Sequence, residues 1–212
     1  MAEYTLHCFA QSGNAYKPAL YLNLVGADWA PRFVDFFNGA GRTPEFLAIN
    51  EMGEIPVLDH GEVRLTQSGV ILDYLVEQFG QFGWRDETER REILRWILFD
   101  NHKFTANIAT WRFLINFAPK PMAPEVMDFM KGRAKVGAKV LAQHLEGRDF
   151  VVGDRPTIAD LSLCGYVFYE NEYPIDWARD YPPIHAWAER IKALPGWKHP
   201  YELMPGYPLK KG

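Results

Sequence analysis

The stretch 50–75, NEMGEIPVLDHGEVRLTQSGVILDYL, constrains the fold of this 212-residue chain more than any other. It predicts a turn, a short apolar strand broken by Pro56, a second turn at 59–61 and a short strand over Val63–Thr66. The sequence Gln-Ser-Gly then opens an apolar run with helical spacing. The predicted order is therefore strand, strand and helix in close succession.

Pro56 interrupts the first of these predicted strands, although proline cannot donate a hydrogen bond to a sheet and is rare in the middle of a strand. A trans proline at the edge of a strand is the ordinary interpretation. The alternative is a cis Ile55–Pro56 bond, a form found in about 5–6% of X–Pro bonds. A cis bond would turn the backbone of Ile55 outward, where its N–H and C=O can pair with an extended peptide. The residues around Pro56 favour the trans form when taken by themselves.

Ser68 lies at the start of the predicted helix, where unpaired N–H groups and the helix dipole attract an anion. The residue three positions further on is Ile71, so no capping box occupies these N–H groups. A serine at a helix start is commonly just an N-cap, and the two roles are compatible. Together with a peptide-pairing Ile55, this helix start predicts a site for a small, anionic, extended peptide.

Composition and charge argue against several other classes of protein. The net charge is −4 and there is no basic run, so we do not expect nucleic acid as a partner. Cys8 and Cys164 are far apart in the sequence and show no CxxC spacing. We therefore expect neither a disulfide framework nor a cysteine metal site. We find no signal peptide and no apolar run of about 20 residues. The expectation is a cytoplasmic protein that does not bind membranes.

The periodic patterns predict two domains of different class. Strand and helix patterns alternate in the order βαβαββα over residues 1–78, which indicates an α/β domain. Residues 79–87 lack a regular pattern and form the predicted linker. Residues 88–212 show helical patterns without any strand signal, which indicates an all-α domain. Within it, Thr157 and Asp160 predict a capping box at the start of a helix.

Several motifs resemble those of one family. GEIPVLD and TQSGVILDYL resemble the glutathione site in the thioredoxin-like domain of glutathione transferases, and TIADLSLCGY and YPPIHAWAERIKALPGW are similar to helices of that family's C-terminal domain. The resemblance covers nearly the whole chain, and it implies a thioredoxin-like domain followed by an all-helical one. It also implies that Ile55, before a cis Pro56, pairs with the cysteinyl part of glutathione. Gln67 and Ser68 would then hold the γ-glutamyl carboxylate.

The thiol of glutathione has to be ionised before it can act as a good nucleophile. A cysteine pKa of about 8.5 leaves a few per cent of thiolate at pH 7, and lowering it by about two units needs about 2.7 kcal/mol. One or two charge-assisted hydrogen bonds, at about 1.5–3 kcal/mol each, are sufficient.

Ser12 is the first candidate for the donor to this thiolate. QSGNAYKPAL resembles the corresponding segment of the bacterial, theta-like, serine-type transferases. Asn14 is the rival candidate and Tyr4 the third, while Cys8, inside the predicted first strand, is expected to be a buried hydrophobe. By itself the local sequence favours an ordinary strand-to-helix turn with an N-cap, and the distant motif of Pro56 and Ser68 reverses this preference.

The remaining candidates are less constrained by the sequence. Arg42 is a candidate partner for the glycyl carboxylate, and a solvated surface arginine is the alternative. Asp100 lies in about the position of an acidic residue that, in many members of the family, contacts the glutathione of the partner subunit. Phe104, Asn107 and Trp111 are candidates for an apolar electrophile site, although aromatic residues at helical spacing more often belong to a core.

The expected function is that of a homodimeric, cytoplasmic glutathione transferase with a role in detoxification. It would ionise glutathione beside Ser12 and conjugate it to a small apolar electrophile, without a metal. The first alternative is a glutathione-dependent disulfide or peroxide reductase, which uses the same site on a sulfur or oxygen electrophile. The second is a non-catalytic module that binds a ligand or a protein, and the presence of Ser12, Pro56 and Ser68 together argues against it.

Overall fold

The computed structural model describes residues 2–209, which form two compact units. One unit runs to Gln81 and also contains the segment from Leu194 onward, whereas the other is Phe82–Ala193. The predicted helical domain extended to the end of the chain, and the structure differs at this point. The segment after Leu194 joins the first unit because its apolar residues Leu203 and Met204 are buried there.

The first unit contains a four-stranded mixed sheet with the strand order β2-β1-β3-β4. Strands β1 and β2 are parallel, and the other neighbouring pairs are antiparallel. The strands are Tyr4–Cys8 (β1), Trp29–Phe33 (β2), Val57–His60 (β3) and Val63–Thr66 (β4). The helices among them are Gly13–Leu24 (α1), Pro44–Leu47 (α2) and Ser68–Phe79 (α3). The predicted thioredoxin-like order βαβαββα is confirmed.

The second unit is helical, and its described residues include no strand, as the sequence predicted. Its helices are Glu87–Phe99 (α4), Thr105–Asn116 (α5), Pro124–Leu145 (α6), Ile158–Leu163 (α7), Trp177–Asp180 (α8) and Pro182–Lys192 (α9). A π-helical segment, Asp100–Phe104, joins α4 to α5. A tenth helix, Pro200–Leu203 (α10), lies in the C-terminal part of the first unit. No helix of the described residues is long and apolar enough to cross a membrane.

The predicted capping box at the start of α7 is present and completely buried. Asp160 Oδ2 accepts a hydrogen bond from the Thr157 N–H at 2.8 Å, and Thr157 Oγ1 accepts one from the Ala159 N–H at 3.3 Å. Asp160 Oδ1 accepts two more, from the Val151 N–H at 2.9 Å and from Trp187 Nε1 at 2.8 Å. One carboxylate thereby connects the loop before α7, the helix itself and α9.

Asp100 is also completely buried, within the π-helical segment. Its Oδ2 accepts a hydrogen bond from the Ser162 hydroxyl at 2.7 Å, and its Oδ1 accepts one from the Thr105 hydroxyl. A carboxylate that is enclosed and bonded inside its own unit does not reach a ligand held by another subunit. The role that the resemblance implied for Asp100 is therefore wrong for this chain.

Candidate functional site

The sheet brings three of the predicted site segments to one edge. The penultimate residue of β1 lies opposite Val57 of β3, and Val57 lies opposite Thr66 of β4. Ser12 follows the end of β1, Pro56 immediately precedes Val57, and Ser68 comes two residues after Thr66. The ends of β1, β3 and β4 are therefore paired side by side, and the segments that carry Ser12, Pro56 and Ser68 lie at the same edge of the sheet.

Ser12 is the N-cap of α1 and is nearly buried, with 7% of its surface exposed. Its Oγ accepts a hydrogen bond from the Ala15 N–H at 3.1 Å. This bond uses a lone pair of the hydroxyl and leaves its hydrogen available to an acceptor. One hydroxyl can therefore cap the helix and donate to a thiolate at the same time.

Asn14 lies in the first turn of the same helix and remains a rival for this role. Its Oδ1 is buried and has no hydrogen-bond partner among residues 2–209. Buried side-chain polar atoms usually find partners, so this unpaired oxygen is a place where a ligand could donate a hydrogen bond. An amide oxygen accepts and does not donate, so a bond from Asn14 to a thiolate would have to come from its amide nitrogen, and Asn14 stays the alternative to Ser12 as the donor.

Tyr4 lies at the opposite end of β1 from this edge, in a different environment. Its ring stacks on His60 with centroids 4.2 Å apart, and burial raises the pKa of its hydroxyl. Tyr4 is four residue steps away from Cys8, the last residue of β1, which corresponds to about 13 Å. Tyr4 is accordingly a packing residue, and the third candidate for the thiolate donor falls away.

Cys8 is the other sulfur-bearing candidate near this edge, and it is fully buried inside β1. Burial raises the pKa of the Cys8 thiol to about 12, so the thiol stays protonated at neutral pH. As the sequence predicted, Cys8 behaves as a buried hydrophobe and not as a nucleophile.

The Ile55–Pro56 peptide bond is cis, which is the form that the family resemblance implied. No hydrogen bond to either backbone group of Ile55 occurs within the described part of the chain. The backbone of Ile55 thus presents a donor and an acceptor next to β3, as pairing with an extended peptide requires.

Helix α3 begins at Ser68, and Gln67 occupies the N-cap position with a positive φ of 68°. A non-glycine residue in this backbone region is strained, and such strain is concentrated at functional sites. The first intrahelical hydrogen bond runs from the Ile71 N–H to the Gln67 carbonyl, so the N–H groups before Ile71 have no intrahelical acceptor. Gln67 does not use its side chain as a cap; its Nε2 donates to Met52 Sδ at 3.1 Å instead.

The Ser68 side chain lies at this helix start and is 6% exposed. Since Gln67 holds the N-cap position, Ser68 is not the N-cap, and its hydroxyl has no partner among the residues that the structure describes. A buried, unpaired hydroxyl beside unpaired N–H groups is suited to a carboxylate.

Arg42 is held next to the 50–56 segment by two glycines. A Cβ atom on Gly53 would lie 2.6 Å from the Gly41 carbonyl oxygen, and the φ of Gly53 is +64°. The same Cβ position is 2.9 Å from Arg42 Nη1, so the guanidinium lies directly against this turn. Arg42 is exposed and makes no ion pair with the described residues, which leaves its charge available to a ligand.

The three electrophile candidates do not converge on one place in the second unit. Phe104 is completely buried, with its ring 6.1 Å from that of Trp177, and its burial does not fit the predicted role as a wall of a binding site. Asn107 accepts a hydrogen bond from Arg133 Nε at 2.9 Å beside a cavity of about 330 Å³. Trp111 borders a separate cavity of about 930 Å³.

Gln11 is a neighbour of the site that the sequence did not reveal. Its side chain is 4% exposed, and its Nε2 donates a hydrogen bond to the Gly206 carbonyl at 2.8 Å. No local pattern could predict this contact, because 195 residues separate its two ends.

Comparison with known proteins places these features in context. The model of the glutathione S-transferase N-terminal domain matches residues 2–77, and that of the glutathione S-transferase C-terminal domain matches residues 104–195. The chain is 30% identical over 184 residues to glutathione S-transferase 1 of Dianthus caryophyllus, which covers 80% of this chain and 82% of that protein.

Two further relatives extend this similarity. Disulfide-bond oxidoreductase YfcG of Escherichia coli is 29% identical over 194 residues, covering 88% of this chain and 89% of that one. The crystal structure of a possible glutathione S-transferase from Rhodopseudomonas palustris matches with a TM-score of 0.87 and 29% identity, over 94% of this chain and 98% of that one. The similarity therefore includes both units.

Proposed function

The chain belongs to the glutathione S-transferase family, and on this premise we propose that it binds glutathione at the sheet edge and transfers it to a small apolar electrophile. The observation that carries the proposal is the start of α3. There, the buried hydroxyl of Ser68 and the first N–H groups of the helix are all without a partner in the described chain. This combination is a site for a carboxylate next to a segment that can pair with a peptide backbone.

Each part of glutathione has a complementary group at this edge. The α3 start, with Ser68 and Gln67, takes the γ-glutamyl carboxylate. The unpaired N–H and C=O of Ile55 pair with the cysteinyl residue. The unpaired cation of Arg42 is available to the glycyl carboxylate.

The chemistry requires no general base from the protein. The Ser12 hydroxyl donates a hydrogen bond to the sulfur, which stabilises the thiolate, and the thiol proton passes to water. The sulfur lone pair then forms a bond to the electrophilic carbon while the leaving group departs with its electron pair. Asn14 is the alternative donor, since its amide lies in the same turn.

The electrophile and the homodimer rest on the family resemblance, and the cytoplasmic location is an expectation from the sequence. They remain part of the proposal, as does the role in detoxification. Among the predicted electrophile residues, Trp111 borders a cavity of a volume that is typical of small-molecule sites.

A glutathione-dependent disulfide reductase is the second candidate function. It is favoured by the 29% identity to a disulfide-bond oxidoreductase over 88% of the chain. The thiolate site would be unchanged. The thiolate attacks a sulfur atom of the disulfide, forms a mixed disulfide and releases the other half as a thiolate, and a second glutathione then completes the reduction by forming glutathione disulfide.

A comparison of acceptors separates the two functions. With glutathione in excess, we expect kcat/KM for an activated aryl chloride to exceed that for hydroxyethyl disulfide by at least about tenfold. The control is the Ser68→Ala variant, which should lower both rates because both need bound glutathione. Reduction of the disulfide without any conjugation of the aryl chloride would contradict the transferase proposal.

A further inference from the structure

The C-terminal segment 204–207 lies against the turn that carries Ser12. The N–H of Ala10 donates a hydrogen bond to the Pro205 carbonyl at 2.7 Å, and Gln11 Nε2 donates one to the Gly206 carbonyl at 2.8 Å. Both donors lie in the turn between β1 and α1, immediately before Ser12, and both residues are buried. We call the segment 204–207 the strap.

The strap is held in place by contacts of its own. The chain before it contains α10, which packs on α1. At the other end, the Tyr207 ring stacks on Tyr201 with centroids 3.8 Å apart and an interplanar angle of 11°. The segment therefore reaches the Ser12 turn from a fixed base.

Gly206 is the point at which the strap meets the sheet. Its φ is +96°, a backbone region that favours glycine. A Cβ atom at this position would lie 2.6 Å from Cε2 of Phe33, the last residue of β2. The Phe33 ring is 51% exposed and can move, but an alanine at position 206 is strained at this positive φ, so we expect it to disturb the strap and its bond to Gln11.

We propose that the strap and Gln11 position the Ser12 hydroxyl for its hydrogen bond to the thiolate of glutathione. This inference rests on the proposed function. Within the turn, the Ser12 N–H donates a hydrogen bond to the Phe9 carbonyl at 3.0 Å, and the bonds from Ala10 and Gln11 to the strap hold the turn from outside it. A hydrogen bond weakens steeply when its angle or distance changes, so a donor has to be held within about 0.5 Å of its working position. Gln11 is accordingly a positioning residue that acts through Ser12.

The test measures the pKa of the glutathione thiol in the complex, through its thiolate absorbance, together with the dissociation constant of glutathione. Gln11→Met keeps the volume of the side chain but removes its hydrogen-bond donor, and Gly206→Ala displaces the strap without changing the turn. We expect each variant to raise the pKa of the bound thiol by about one unit, with the dissociation constant within about threefold of that of the unaltered protein. Ser68 and Ile55 hold the rest of the peptide, which is why affinity is expected to be maintained.

Tyr16→Phe is the matched control. It removes a part-buried hydrogen bond to the Lys198 carbonyl, which lies before α10 and outside the strap, and which does not contact the Ser12 turn. We expect it to leave the thiol pKa unchanged. An unchanged thiol pKa in Gln11→Met, or an equal shift in Tyr16→Phe, would overturn the inference. If the unaltered protein itself does not lower the thiol pKa, it is the proposed function that fails, and the two failures are thus distinguishable.

Discussion

Replacing Ser12 by alanine is expected to raise the pKa of the bound glutathione thiol by about one to two units and to lower kcat/KM near neutral pH by about tenfold or more. The reason is the loss of a hydrogen bond to a charged acceptor, which is worth about 1.5–3 kcal/mol, and one pKa unit corresponds to about 1.4 kcal/mol. The pKa of the thiol rises in this variant because the lost hydrogen bond stabilises the thiolate and not the thiol. The loss of rate should diminish as the pH rises through the new pKa.

Two variants make this prediction specific to Ser12. Ser68→Ala should show the reverse pattern, with an affinity for glutathione that is weaker by about tenfold and a thiol pKa that does not change, because Ser68 is expected to contact a carboxylate and not the sulfur. Asn14→Ala tests the rival donor. If Asn14→Ala raises the thiol pKa and Ser12→Ala does not, the thiolate donor is Asn14. Ser12 also caps α1, so the thermal midpoint of Ser12→Ala has to be recorded beside its kinetics.

Replacing Asp160 by alanine is expected to produce the largest loss of stability, about 3–5 kcal/mol in the free energy of unfolding. The carboxylate is completely buried and accepts hydrogen bonds from the N–H groups of Thr157 and Val151 and from Trp187 Nε1. Alanine would leave three buried donors without their acceptor, at about 1–3 kcal/mol each. A loss of this size exceeds that of most single substitutions. Urea denaturation followed by circular dichroism measures it.

Two controls bracket the Asp160 result. Asp160→Asn keeps one oxygen for Val151 and Trp187 but turns an amino group toward the Thr157 N–H, so an intermediate loss is expected. Asp149→Ala removes an exposed carboxylate that pairs with Arg190, and we expect a change below about 1 kcal/mol. A loss below about 1 kcal/mol in Asp160→Ala would contradict the role that we assign to the buried capping box.

The parts of the structure that the sequence predicted are those that local signals determine. The βαβαββα order follows from strand and helix periodicity together with turn residues, and the strand Val63–Thr66 has the predicted bounds. The capping box of Thr157 and Asp160 follows from a spacing of three residues. The edge of the sheet at which Ser12, Pro56 and Ser68 meet follows from this strand order once the register is known.

The parts that were missed depend on contacts between distant residues. The return of the C-terminal segment to the first unit, and its bond to Gln11, join positions 195 residues apart, and no periodic pattern reports them. Helical spacing predicted that Phe104, Asn107 and Trp111 lie on a helix. It did not tell which of them face the core and which face a cavity. Asp100 was assigned by its position in the family, whereas its partners Thr105 and Ser162 enclose it in the π-helical segment.

The measurement that tests the central claim most directly is the thiolate absorbance of glutathione, titrated with the protein over a range of pH. The claim is that the sheet edge binds glutathione and that a hydroxyl or amide at the start of α1 stabilises its thiolate. We predict saturable binding and a thiol pKa about two units below its value in free glutathione, which corresponds to about 2.7 kcal/mol of preference for the thiolate. Saturable binding with an unshifted pKa would contradict the proposed activation, and the absence of binding would contradict the glutathione site itself.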